Sequence, residues 1–127
     1  MARTKLLSPF ALTLVLSACS RDLSAVRGAF REGRLPEAAR ALRALEAESA
    51  EFPPEKRARY ALYLGLTHLG LGDAALAERF LTEASALEQR HPGSLARSEL
   101  GALDAARRSM GLTPVTPARA APLTAYD

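Results

Sequence analysis

A chain of 127 residues has room for one domain and one modest core. Alanine and leucine dominate, tryptophan and isoleucine are absent, and valine occurs only at Val15, Val26 and Val115, a composition that favours helix and argues against a sheet-built fold. The formal charge is +3, but Arg3 and Lys5 lie in the first five residues, and the other 15 basic side chains are interleaved with 14 acidic ones, as in Arg31-Glu32-Gly33-Arg34. No stretch forms a phosphate-binding face, so nucleic acid is excluded as an expected partner.

The first residues have three parts: a basic start at Arg3 and Lys5, an apolar stretch from Leu6 to Leu16, and small residues at Ser17 and Ala18. A bilayer span needs about 20 apolar residues, so this is read as an export signal over residues 1–18. Leu16 is unsuited to an ordinary signal peptidase, which takes small residues at the last and third-last positions. Leu16-Ser17-Ala18-Cys19 instead resembles the bacterial lipobox. The resemblance implies a mature chain of 109 residues starting at Cys19, whose thiol becomes a diacylglyceryl thioether and whose new amino group is acylated. Each buried methylene contributes about 0.8 kcal/mol, and two or three chains hold a protein firmly on a membrane. Cys19 is the only cysteine, so an internal disulfide is excluded and a lipidated thiol is no nucleophile. The competing reading is an uncleaved apolar helix with a buried free cysteine. Ser20, in place of aspartate after the cysteine, resembles the default that sends such proteins to the outer membrane, facing the periplasm.

Residues 19–22 then form a tether, 23–111 a helical domain, and 112–127, with Pro114, Pro117 and Pro122, a flexible tail. A first helix is expected from Leu23 to Glu32, ended by Gly33. The second starts at Pro36 and carries Ala38, Ala41, Leu42 and Leu45 on one face out to about Glu48, before Phe52-Pro53-Pro54 breaks it. The third runs from Pro54 to about Leu69. It has no charged residue from Tyr60 onward, which predicts a helix covered on nearly every side. Asp73 caps the fourth, which presents Leu76, Ala77, Phe80, Leu81, Ala84 and Leu87 and ends near Arg90. After the His91-Pro92-Gly93 turn, Ser94 is the expected cap of a fifth helix carrying Leu100, Leu103, Ala106 and Met110 and ending at Gly111.

An internal repeat runs through these helices. The segment from Gly33 to Leu42 lies over that from Gly72 to Leu81, pairing Ala38 with Ala77, at a period of 39 residues, and the next step reaches Gly111. The segment from Ala58 to Pro92 resembles the tetratricopeptide repeat: Leu64-Gly65 matches its leucine-glycine pair, Gly72-Asp73 its turn, and Ala77, Leu81 and Ala84 its second helix. The first unit matches from Ala29 to Leu45 with Val26 in place of the glycine, and the third is one helix with Asp104 there. The resemblance implies an all-α, antiparallel hairpin stack of about five helices, about two and a half units, closed by its last helix. So short a stack is expected to be marginally stable, dimeric or held by a partner.

The family resembles itself from member to member in lining a concave groove with the first helix of each unit. Carried onto this chain, that face presents Arg27, Phe30 and Arg31 from the first helix and Arg59, Leu62, Leu66 and Leu69 from the third. An apolar floor with arginine edges suits an amphipathic segment or a chain bearing carboxylates. The other reading is that these leucines are core and the arginines a solvated face. His68 and His91 lack the companions of a metal site or a catalytic set, so no metal, cofactor or catalytic residue is expected. The expected function is a lipid-anchored envelope module, of pilotin or assembly-factor type, that binds another envelope protein. The alternatives are a self-associating accessory lipoprotein, such as a homodimer, and, more remotely, a hydrolase with an unrecognised site.

Overall fold

In a computed structural model the described residues are 23–113, and every regular element among them is helical. The expected export signal over 1–18, Cys19 and the expected tether over 19–22 lie outside the described residues, as does the expected tail of 112–127 apart from residues 112 and 113. Five helices follow in order: α1 over residues 23–31, α2 over Leu35–Ala44, α3 over Pro54–Gly70, α4 over Ala74–Arg90 and α5 over Arg97–Ser109. The chain is an all-α helical stack, as its composition and hairpin pattern lead one to expect.

The helix ends carry the repeat. Gly33, Gly72 and Gly111 all have positive φ, at 75°, 87° and 76°, a conformation that costs glycine nothing. Each closes its helix with the same pair of bonds. Gly33 N and Arg34 N donate to Phe30 O and Ala29 O, Gly72 N and Asp73 N to Leu69 O and His68 O, and Gly111 N and Leu112 N to Arg108 O and Arg107 O. The 39-residue period is therefore a period of backbone geometry: α1, α3 and α5 are equivalent helices, and α2 and α4 are their hairpin partners.

Proline opens the helices it was expected to open, standing in the first turn of α2 and of α3. Asp73 caps α4, its Oδ1 accepting from Leu76 N at 3.2 Å. Two boundaries differ from expectation. The second helix ends at Ala44 rather than near Glu48, and residues 45–48 are turns leading to a 3-10 turn at Ser49–Glu51 before Pro53 and Pro54. Ser94 does not cap α5: its hydroxyl donates back to His91 O at 2.6 Å, and the first turn of α5 is instead fastened by Glu99, whose Oε1 accepts from Ala96 N at 2.9 Å.

The core has two parts that share α3. Ala58, Ala61 and Leu62 of α3 pack with Leu81, Ala84 and Leu87 of α4, with Leu95, and with Leu103 and Ala106 of α5. Tyr60, Tyr63 and Leu64 of α3 pack with Val26 of α1 and with Leu42 and Leu45. The third helix is the covered centre, burying eight residues from Ala58 to Thr67. The Thr67 hydroxyl is fully buried and has no hydrogen-bond partner. Closest approach comes at Gly65, where a Cβ would stand 2.6 Å from the Leu81 side chain and 3.1 Å from Leu81 N. We expect Gly65→Ala to cost about 1–3 kcal/mol through overpacking, read as a lowered midpoint in thermal unfolding with helicity retained below it.

The turn between α4 and α5 hangs on a buried carboxylate. Glu88 Oε1 accepts from Gly93 N at 2.9 Å and Oε2 from Leu95 N at 3.1 Å. Glu88→Ala removes both acceptors and should cost about 2–4 kcal/mol, while Glu88→Gln, which keeps one, should cost about half as much. Denaturant midpoints for the pair check this; equal losses would show that the amides are satisfied in another way.

Candidate functional site

The expected groove is partly filled. Leu62 is only 1% exposed and belongs to the core, and Leu66 and Leu69 are half-buried and packed against the same cluster. Of the two expected readings of these leucines, open floor or core, the core one describes Leu62: α5 packs on both α3 and α4, and its Leu103 and Ala106 share the cluster of Leu62. Phe30 is half-buried too, meeting the Tyr63 ring edge to face at 5.8 Å.

What remains open along the equivalent helices is polar. Arg59 Nε lies 3.1 Å from Glu99 Oε1, joining α3 to α5, with side-chain exposures of 34% and 8%. The Tyr63 hydroxyl donates to Glu99 Oε2 at 3.4 Å. Glu99 thus serves Arg59, Tyr63 and the Ala96 amide at once, which is how its carboxylate is accommodated in a buried position. Burial raises the Tyr63 pKa above its ordinary value and the Glu99 charge adds to this, against Arg27 and Arg31 nearby. Neither Arg27 nor Arg31 is in an ion pair with a carboxylate among the described residues. A shallow basin of about 330 Å³ opens beside them, lined by Leu23, Ser24 and Arg27 of α1 and by Pro53, Glu55, Lys56 and Arg59 at the start of α3.

A larger groove, of about 460 Å³, lies elsewhere. No close backbone contact joins α2 to α4, although both pack on α3. The space between them is floored by Tyr60, Leu64 and His68 of α3 and walled by Ala39 and Arg43 on one side and Leu76, Arg79, Phe80 and Glu83 on the other, with Glu46, Ser49, Ala50 and Arg57 at its end. Phe80 is held between a stacked His68 ring at 6.0 Å and the Arg79 guanidinium at 5.6 Å. The Tyr60 hydroxyl donates to Leu42 O at 3.2 Å, turning its ring edge toward Phe52 at 5.7 Å. Burial likewise raises the Tyr60 pKa, with Glu46 adding to it. At 100° per residue, Arg57, Tyr60, Leu64 and His68 share one face of α3, and Glu55, Lys56 and Arg59 lie roughly 140° round the helix. The groove and the basic basin therefore open to different sides.

Sequence reasoning named Arg27, Phe30, Arg31 and Arg59 on the first side and missed Tyr63 and Glu99, which organise it, together with the whole groove between α2 and α4. The signal for Glu99 was available: it stands 40 residues after Arg59, one period plus one, so the equivalent helices bring them side by side. No group of three or more histidine, cysteine or acidic side chains among the described residues could hold a metal ion. No described helix is long and apolar enough to cross a membrane. No protein-family model, curated protein or solved structure matches the chain.

The two core tyrosines give the fold an alkaline limit. Because both phenols have raised pKa values in the fold, the unfolded chain releases its protons first, near pH 10, and stability falls as pH rises from there through the folded values. Unfolding free energy measured from pH 8 to 11 should decline above about pH 10, and Tyr63→Phe should make that decline shallower. A wild-type profile flat to pH 11 would contradict the assignment.

Proposed function

We propose that this chain is a lipid-anchored interaction module of a bacterial cell envelope, a scaffold or assembly factor of pilotin type, held through Cys19 on the outer membrane and facing the periplasm. The anchor rests on Leu16-Ser17-Ala18-Cys19, and the kinship to tetratricopeptide arrays rests on Leu64-Gly65, Gly72-Asp73 and the small residues of α4. The observation that carries the interaction role is the groove between α2 and α4. It offers an apolar floor of Tyr60, Leu64 and Phe80, with Arg43, Arg57 and Arg79 and the carboxylates of Glu46 and Glu83 along its edges. Such a surface suits an amphipathic helical segment, apolar side down, whose charges of both signs meet opposite charges at the rim. Confinement to a membrane raises the effective concentration of a membrane-bound partner, so a groove of modest affinity is sufficient. The reading assigns no catalytic or metal-binding residue and no nucleic-acid partner.

The test is capture from detergent-solubilised native membranes with the lipidated chain, beside Ala39→Arg, which places a long side chain in the groove from the exposed side of α2. One specific envelope protein should be captured, and Ala39→Arg should reduce its recovery at least tenfold while thermal unfolding is unchanged. Capture of nothing but further copies of the chain, with a mass that rises with concentration, would put the self-associating accessory lipoprotein in front.

A further inference from the structure

We infer that the basic basin at the start of α1 and α3 docks on the anionic phospholipid headgroups of the leaflet that holds the Cys19 anchor. This rests on the lipid-anchor reading given above. Leu23 lies four residue steps after Cys19, and a chain extends at most about 3.6 Å per residue, so the start of α1 is tied within about 14 Å of the acylated cysteine. The part of the domain that the tether brings to the bilayer is the part that bears the basin.

Its chemistry fits a headgroup layer. Arg27, Lys56 and Arg59 line it with Glu55 as the one carboxylate, and Leu23 supplies an apolar edge. Arg59 is engaged by Glu99, and Lys56 lies over the Phe52 ring at 4.3 Å. Arg27 and Arg31, one turn apart on α1, have no carboxylate partner among the described residues and extend the positive strip along the same side. Guanidinium groups bind phosphate through paired donors, and an anionic leaflet attracts each nearby basic side chain by about fivefold in the docking equilibrium. The groove between α2 and α4 opens to another side of α3 and is left facing away from the leaflet.

The experiment uses the lipidated full chain in vesicles of zwitterionic lipid with or without added phosphatidylglycerol, which gives the surface its negative potential. With Cys19 consumed by lipid, Ala25→Cys supplies a single thiol on α1, two residues from the basin-lining Leu23 and Arg27, for a fluorescent donor, and headgroup-labelled lipid is the acceptor. Energy transfer should be higher in the anionic vesicles, should fall in 0.5 M salt, where screening is within a few ångströms, about 4 Å, and should fall in the Arg27→Gln/Lys56→Gln double variant, with the docked population reduced about thirtyfold. Arg27→Lys/Lys56→Arg, which keeps both charges, should restore it and so excludes misfolding as the cause. A donor at Glu83→Cys, on the groove rim, should stay distant throughout. Energy transfer indifferent to lipid charge and salt would overturn the docking while leaving the anchor intact. A mature chain whose mass shows Cys19 unacylated would overturn the anchor reading itself, and the docking with it. If the charge-removing pair leaves energy transfer unchanged but abolishes capture of the envelope partner, the basin is a protein-binding face and the docking is wrong.

Discussion

The closeness of α3 and α4 at Gly65 is the constraint on which the rest of the structure depends. A Cβ at that position would collide with Leu81, so only glycine lets the two axes come near enough for Ala61, Leu81 and Ala84 to interlock. With α4 seated there, α3 has one side fixed, and α5 covers the adjoining side through Leu103 and Ala106. The opposite part of α3, bearing Tyr60, Tyr63 and Leu64, is left for α1 and α2. A second close approach, between Gly70 and the Leu35 side chain, fixes where α2 starts against the end of α3. The groove follows from this arrangement: α2 and α4 both lean on α3 but make no close backbone contact with each other.

The units differ in how well they are built. All three equivalent helices end in the same glycine-centred bonds, yet only the second unit continues into a helix with a side-chain cap, from Asp73. At the matching position of the first unit stands Arg34, which makes exposed ion pairs with Glu32 and Glu37. Exposed pairs of this kind contribute little. The helix that follows has 10 residues against 17 in the second unit. Proline does not explain the shorter helix: Pro53 stands one period before Pro92, yet α4 runs on to Arg90 whereas residues 45–51 of the first unit settle into tighter turns.

What was legible in the sequence is what depends on neighbours along the chain. Glycine at 33, 72 and 111 stops helices because of its own backbone freedom, proline at 36 and 54 starts them because it lacks an amide proton, and the uncharged run after Tyr60 marks burial whatever the covering helices are. The apolar positions 38, 42 and 45 likewise announce a buried face. The groove leucines were left between two readings, open floor or core, because an all-apolar helix does not show which of its sides is left open. That depends on where α5 falls, and α5 falls on Leu62. The α5 cap was misread because Ser94 and Ala96 compete for the same role. Glu99 decides it from inside the helix by binding the Ala96 amide and the Arg59 guanidinium together. Glu88 is similar: its value lies in two amides, five and seven residues ahead, that present themselves only once the turn has formed.

Glu99 has a further consequence for charge. By pairing with the part-exposed Arg59 it fixes α5 against α3, and it offsets one cation on the open side, leaving Arg27, Arg31 and Lys56, against Glu55, to set the potential there. The groove side carries Arg43, Arg57 and Arg79 against Glu46 and Glu83 and is nearly balanced. The described helices thus present one side with a positive bias and another with charges of both signs round an apolar floor. For a freely diffusing protein this difference would matter little, since either side can meet any partner. Were the chain tethered as proposed by the few residues before α1, rotation would be restricted, and a positive side toward an anionic leaflet would leave the mixed groove pointing outward. Such an orientation would lower the entropic cost of meeting a partner in the same membrane without a single added contact in the groove.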